Sequence, residues 1–170
     1  MRFMRIGELL RLIFGRSSMF VRYTQNARRT IYFSRWEANH YEASKIEPEH
    51  IALSLLRDPW ISKQFLKDVC ETDFRNELHL APLDPNNDKK TVATPLSNAA
   101  KRILFNAGDT ADAFLDPHIG NEHLLLGLLQ EESSGPAKVF KEKSITPNDL
   151  RLRIKKIPRE TRKASGKADK

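Results

Sequence analysis

Sliding the chain along itself by 73 residues lays 22–57 on 95–130 without a gap, and nine of those 36 positions are identical. Ala27 meets Ala100, Arg29 meets Arg102, Ala38 meets Ala111 and Ile46 meets Ile119. Glu49-His50 falls on Glu122-His123, and Leu53, Leu55 and Leu56 fall on Leu126, Leu128 and Leu129. Self-similarity of this kind means one supersecondary unit used twice, each copy covering the apolar face that the other cannot bury alone. Whatever the chain folds into must therefore accommodate an approximate two-fold relation.

The period inside each copy is helical. Leu96, Ala100, Leu104, Ala107 and Ala111 step by four and three, and Tyr23, Ala27, Ile31, Ser34 and Ala38 repeat the pattern. Thr24 and Ser97 stand where a side-chain oxygen caps a first turn. The small residues on these stripes allow close helix contact. A second helix opens at Pro48-Glu49-His50 and at Gly120-Asn121-Glu122-His123, with the acid placed to complement the helix dipole. Ile51–Leu56 and Leu124–Leu129 are apolar nearly all round and read as buried helices. Trp60, Ile61, Phe65, Leu66 and Val69 mark a third helix, matched with a small shift by Ala137, Val139 and Phe140. Thr72-Asp73-Phe74 and Thr146-Pro147 open fourth helices, with threonine as the expected cap. No alternating pattern of the strand type survives. The expected fold is all-α, two pseudo-symmetric four-helix units packed as one domain.

Boundaries follow from composition. Residues 81–95 hold three prolines and a polar run and read as a linker between repeat 1, about 19–80, and repeat 2, about 96–157. The formal charge of +7 sits at the ends: +3 over 1–18 and +5 over 155–170, against −1 for 19–154. A dedicated nucleic-acid domain carries its basic residues on the folded body, because phosphate contacts supply most of its affinity. No specific nucleic-acid partner is expected. Residues 158–170 lack apolar periodicity and read as a disordered basic tail. Residues 1–18 place Ile6, Leu9, Leu10 and Ile13 on one stripe and form a basic amphipathic extension, suited to weak contact with a membrane surface or to an organellar presequence. The simpler expectation is that the protein proper starts at Met19 and is cytoplasmic, with an organellar location as the alternative if 1–18 is a presequence. One cysteine, Cys70, excludes an internal disulfide and is expected to be buried or half-buried.

At Gly120-Asn-Glu-His-Leu-Leu-Leu-Gly-Leu-Leu129, followed by Gly135-Pro-Ala-Lys-Val139, the sequence resembles the Clp repeat, the N-terminal module of ClpC/ClpA-type unfoldases. Met19-Phe-Val-Arg-Tyr-Thr24 with Ala27-Arg-Arg29 is similar to the way such chains begin. The resemblance covers about 19–157. It implies an all-α double-repeat domain that receives substrates or adaptors for an ATP-driven unfoldase and its peptidase. No Gly-x-x-x-x-Gly-Lys-Ser/Thr loop occurs in these 170 residues, so they are not expected to form the motor itself.

Glu49-His50 and Glu122-His123 are the acid–base pairs that recur, yet neither catalysis nor metal binding suits them. No nucleophile recurs beside them, adjacent helix positions point apart, and the His-Glu-x-x-His spacing is absent. Packing between helices accounts for the histidines, and no catalytic, cofactor or metal site is expected. His40, His79 and His118 are isolated and read as surface or loop residues. The glutamates carry a further implication of the resemblance. In ClpC-type relatives this residue, with a threonine and an arginine near the start of the repeat, forms a pocket for phosphoarginine on marked proteins. By position Arg22, Thr24 and Glu49 match in the first copy; the second offers Ser97 and Glu122, with Pro95 in place of the arginine. The expected function is that of a non-catalytic protein that binds Clp unfoldase or peptidase subunits, adaptors or substrates, including arginine-phosphorylated ones, and so modulates proteolysis. The competing expectation is a helical scaffold tethered through its basic ends to a membrane surface or to nucleic acid.

Overall fold

A computed structural model describes residues 18–81 and 93–165; the expectations for 1–17, 82–92 and 166–170 fall outside the described residues. After a single 3-10 turn at Ser18–Arg22, repeat 1 contributes α1 (Gln25–His40), α2 (Pro48–Leu56), α3 (Pro59–Phe65) and α4 (Glu71–Glu77). Repeat 2 contributes α5 (Asn98–Ala113), α6 (Asn121–Gln130), α7 (Gly135–Glu142) and α8 (Pro147–Lys156), and α9 (Arg159–Ser165) follows. The pairs α1/α5 and α2/α6 begin 73 residues apart, and the later pairs 76 apart, so three residues are inserted after α6.

Two isolated parallel bridges express the two-fold relation. Tyr23 pairs with Ile119 and Ile46 pairs with Leu96, each bridge being the other's image under the repeat offset. Thr24 N donates to Ile119 O (2.9 Å) and Ile119 N to Arg22 O (2.8 Å), while Ser97 N donates to Ile46 O (3.0 Å) and Ile46 N to Pro95 O (2.8 Å). These bonds satisfy backbone groups that precede the helices. They also exchange partners, because the lead-in to α1 pairs with the lead-in to α6, and that of α5 with that of α2.

The core lies around α2 and α6. Every residue of α6 from Asn121 to Leu129 is buried, as are His50 to Leu56 of α2, in line with their all-round apolar sequence. Ala100, Ala107 and Ala111 on α5 are fully buried, and these small residues bring the α5 and α6 backbones together at Gly127. A Cβ placed on Gly127 would meet Ile103 O at 2.4 Å and Ala107 N at 3.0 Å.

A charged cluster distinguishes repeat 1. Glu37 on α1 is fully buried and pairs with Arg57 (2.7 Å) and Arg75 (3.3 Å), and Glu71 bridges the same two arginines. Burial pushes the Glu37 carboxyl up, opposed by the two guanidinium groups. The counterparts of Glu37 and Arg57 in repeat 2 are Thr110 and Gln130, and Gln130 Nε2 donates to Thr110 Oγ1 at 3.3 Å. An ion pair and a neutral hydrogen bond thus fill the same place.

Three sequence expectations are corrected. α4 starts at Glu71, so its N-cap is Cys70 rather than Thr72, and Cys70 is exposed rather than buried. Residues 159–165, expected to be disordered, form α9, and Arg162 within it is buried. Its order comes from ion pairs with Asp116 instead of an apolar stripe, a contact that periodicity cannot reveal. Among the described residues no helix is long and apolar enough to cross a membrane.

Candidate functional site

The N-caps expected at Thr24 and Ser97 are in place. Thr24 Oγ1 accepts from Ala27 N (3.2 Å) and Ser97 Oγ accepts from Ala100 N (3.1 Å). The histidines cap as well as pack. His50 Nδ1 accepts the backbone N–H of Glu47 and His123 Nδ1 that of Gly120, both at 2.9 Å, so each imidazole satisfies a donor at the start of its own helix. Burial pushes both histidines down to about 4 and keeps them neutral, with a nearby carboxylate (Glu47 or Asp116) as the opposing influence. His79 and His118 are exposed as expected, and His40 stacks on Trp36 at the end of α1.

The grouping of Arg22 and Thr24 with Glu49, expected from matching within one repeat, is not what the fold builds. The exchanged backbone pairing seats Thr24 beside Glu122, and both line one pocket. Ser97 is held by Ile46 in the segment leading to Glu49, the image of the Thr24 bond to Ile119. The sites are composite because of the two-fold relation. Arg22 pairs with Asp112 on the surface at 2.5 Å and is not among the residues lining the pocket.

The pocket at the start of α6 is made of Thr24, Asn26, Asp58, Trp60, Gly120, Asn121, Glu122 and Arg162. Asp58 is there as the N-cap of α3, its Oδ1 accepting from Ile61 N at 2.8 Å. Its Oδ2 accepts from Asn121 Nδ2 at 2.9 Å, which turns the amide oxygen of Asn121 the other way. Asn121 is 4% exposed, and its Oδ1 has no hydrogen-bond partner. Glu122 is 6% exposed and folds back over Gly120, where an added Cβ would come within 2.3 Å of its Oε2. Burial pushes the Glu122 carboxyl up to about 7; its own backbone N–H and Arg162 oppose that, while Asp116 and Asp58 reinforce it. The pocket thus presents acceptors: two carboxylates and an unsatisfied amide oxygen, the complement of a group bearing several N–H donors.

The counterpart at Glu49 differs. Glu49 is half-buried and burial raises its carboxyl too; its Oε1 lies 3.3 Å from where a Cβ on Gly135 would be, with Leu78 against the same glycine. Asp116 corresponds to Ala43 in repeat 1, so this side lacks that carboxylate. Sequence reasoning missed Asp58, Asp116, Asn121 and Arg162. Asp116 and Asn121 do show as departures between the repeats, facing Ala43 and Pro48, and Arg159 and Arg162 as a basic i, i+3 pair after Pro158. Among the described residues no group of His, Cys, Asp and Glu is arranged to hold a metal ion.

Comparison with known proteins identifies the fold's relatives. Residues 22–143 and 95–170 match the Clp repeat (R) N-terminal domain. The chain is 30% identical over 152 residues to the chloroplastic chaperone protein ClpC2 of Oryza sativa, covering 88% of this chain but 16% of that protein. It is also 30% identical over 118 residues to an uncharacterised protein of Mycobacterium tuberculosis, covering 69% of this chain and 47% of that one. The crystal structure of the N-terminal domain of ClpD from Arabidopsis thaliana superposes with a TM-score of 0.63 at 23% identity, covering 82% of this chain and 95% of that one. The chain belongs to the Clp repeat (R) N-terminal domain family.

Proposed function

We propose that this domain is a non-catalytic receiver of proteins: it binds substrates, adaptors or subunits of a Clp unfoldase and peptidase and modulates proteolysis by occupancy. The observation that carries the reading is the pocket at the start of α6, where Asn121 Oδ1 lacks a donor and the Glu122 carboxylate is buried beside Asp58. A buried acceptor without a donor costs roughly 1–3 kcal/mol, and a ligand that supplies N–H groups recovers it. Guanidinium is the side-chain group with the most donors in a fixed plane, so arginine on a partner protein is the fitting ligand. A phosphorylated arginine adds an anion, for which the Thr24 hydroxyl at the pocket edge and the Arg22 guanidinium, drawn from Asp112, are the available partners. Ser97 and Glu49 form the second, less acidic receiving site in this reading.

Trp60 lines the pocket, so binding is measurable by its emission in a Trp36→Phe background, Trp36 being the other tryptophan of the chain. Titration with phosphoarginine and with Nα-acetylarginine amide should give a saturable change that Glu122→Ala abolishes. Added to a reconstituted Clp unfoldase and peptidase degrading arginine-phosphorylated casein, the domain should alter the degradation rate. A flat titration with both probes together with an unchanged rate would overturn the reading.

A further inference from the structure

The pocket already holds a guanidinium group of the chain's own. Arg162 on α9 is 8% exposed, lines the pocket beside Thr24 and Glu122, and donates from Nη1 to Asp116 Oδ2 at 2.5 Å. Its guanidinium lies 6.0 Å from the centre of the Phe114 ring. Arg159, one turn earlier, sends Nε to Asp116 Oδ1 at 3.3 Å and Nη2 to Phe114 O at 2.8 Å. With Arg162 in place, the space left among Thr24, Asn121 and Glu122 is about water-sized, too small for a second arginine side chain.

What holds α9 there is narrow. Its sequence, Arg-Glu-Thr-Arg-Lys-Ala-Ser, brings no large apolar side chain, and Arg159, Glu160 and Thr161 are exposed. Two arginines share the single carboxylate of Asp116. A segment anchored mainly by charge, with little apolar burial, belongs to the low-stability end of local unfolding. The Glu49 side has Ala43 in place of Asp116 and so lacks this anchor.

We infer that α9 is an internal competitor of the receiving pocket: Arg162 occupies the place of a partner's arginine side chain, and the pocket binds that partner only when α9 leaves. The inference rests on the function proposed above and adds its regulation. Arg162 spends its own hydrogen bond on Asp116, but its side chain fills the space beside Glu122 that a partner's arginine needs, so the apparent affinity of the full chain is the intrinsic affinity reduced by the fraction of molecules with α9 undocked.

The test uses the full chain carrying Trp36→Phe, with and without Arg162→Ala or Arg162→Lys. Each form is titrated with Nα-acetylarginine amide and with phosphoarginine, and amide exchange over 159–165 is measured with and without saturating probe. Arg162→Ala should bind at least tenfold more tightly than its parent, Arg162→Lys should fall between them, and saturating probe should speed exchange of the α9 amides in the parent. Circular dichroism of each variant checks that its helical body is intact. Equal, finite affinities for parent and Arg162→Ala, or α9 amides that stay protected under saturating probe, would overturn the competition while leaving the receiving function standing. Failure of every form to bind either probe would overturn both.

Discussion

His123 accepts the backbone N–H of Gly120 at Nδ1, 2.9 Å away, and in doing so ties the pocket's glycine to the first turn of α6. The bond requires the neutral ring, and burial holds both His123 and His50 near 4 against an ordinary value near 6.5. The unfolded chain therefore takes up protons between about 6.5 and 4 that the native state refuses, and this contribution to stability is full above that window and lost as pH falls through it. From pH 7 to pH 5 the loss is roughly 2 kcal/mol per histidine. Glu122, raised to about 7, works in the opposite direction over part of this range, so the histidine effect is read as a difference. Glutamine at the third helical position keeps the bond to the cap amide without titrating there. Urea unfolding of wild type and of His50→Gln/His123→Gln at both pH values should show the wild type losing stability relative to the double variant in acid.

Gly127 is where α5 and α6 touch backbone to backbone, with Ile103 O 2.4 Å from the position a Cβ would take. Neither neighbour named at that place is a side chain that can swing away. Gly127→Ala should cost roughly 2–3 kcal/mol through forced separation of the helices, despite alanine's better helix propensity. The counterpart in repeat 1 is Ser54, whose hydroxyl bonds His50 O at 2.9 Å, so a side chain is already accommodated there. Ser54→Ala should change stability by about 1 kcal/mol or less. Thermal unfolding of the two variants side by side checks the contrast.

Much of this was legible because most of the repeat identities are core residues: Ala27, Ala38, Ala100 and Ala111 fall on the buried stripes that their spacing marks, and Thr24 and Ser97 cap as their type predicts. The site was harder. Matching a motif repeat by repeat assumes that its parts meet within one copy, whereas the exchanged pairing of Thr24 with Ile119 brings the cap of one repeat to the glutamate of the other. Two-fold exchange leaves no mark on spacing within either copy. Arg162 and Asp116, 46 residues apart, meet through charge alone, and a charge without periodicity reads as a solvated tail. Cys70 in place of Thr72 as the cap of α4 shows the usual uncertainty of a helix end.

The Glu37 cluster and its neutral counterpart make a swap between repeats informative. Removing one member of a buried ion pair costs roughly 3–5 kcal/mol when the other is left stranded, and Glu37→Ala should approach the lower end of that range, because Arg57 and the buried Arg75 lose the fully buried one of their two shared carboxylates and keep only the partly exposed Glu71. Glu37→Thr with Arg57→Gln copies Thr110 and Gln130 of repeat 2, and it leaves Arg75 paired with Glu71 at 2.6 Å. The double substitution should recover at least half of that loss in equilibrium unfolding. A double variant no better than Glu37→Ala would mean that the cluster's geometry, rather than charge balance, holds α1 to α2.

Among the described residues four helices end on a non-glycine residue in the left-handed region: Glu42, His79, Leu115 and Ser144, with φ between 55° and 61°. Each closes the same loop, as in Asp116 N to Ala111 O and Ala43 N to Ala38 O, both bonds spanning six residues. Leu115 is 77% exposed, so its side chain returns little burial for the strained backbone. Glycine removes the Cβ clash but adds freedom to the unfolded chain, and Leu115→Gly should be stabilising by about 0.5–1 kcal/mol. Glu42→Gly should behave alike, and the two gains should add, because they lie at separate helix ends.

Glu122 gives the pocket a pH dependence of its own. Its carboxyl is raised to about 7 from an ordinary value near 4.5, so between those limits the native state holds a proton that the unfolded chain has released. The associated stability is present below about 4.5 and is lost as pH rises through 7, a change of roughly 3 kcal/mol at most. Affinity for a cationic side chain runs the other way, since an ionised acceptor binds guanidinium more strongly than a protonated one. Titrations of Nα-acetylarginine amide at pH 6 and pH 8, in the Arg162→Ala background where α9 does not compete, should give tighter binding at the higher pH. Glu122→Gln should flatten that dependence and raise stability at pH 8, where the native carboxylate is charged and buried. If binding were equally tight at both pH values with Glu122 intact, the carboxylate would not be among the groups that meet the ligand.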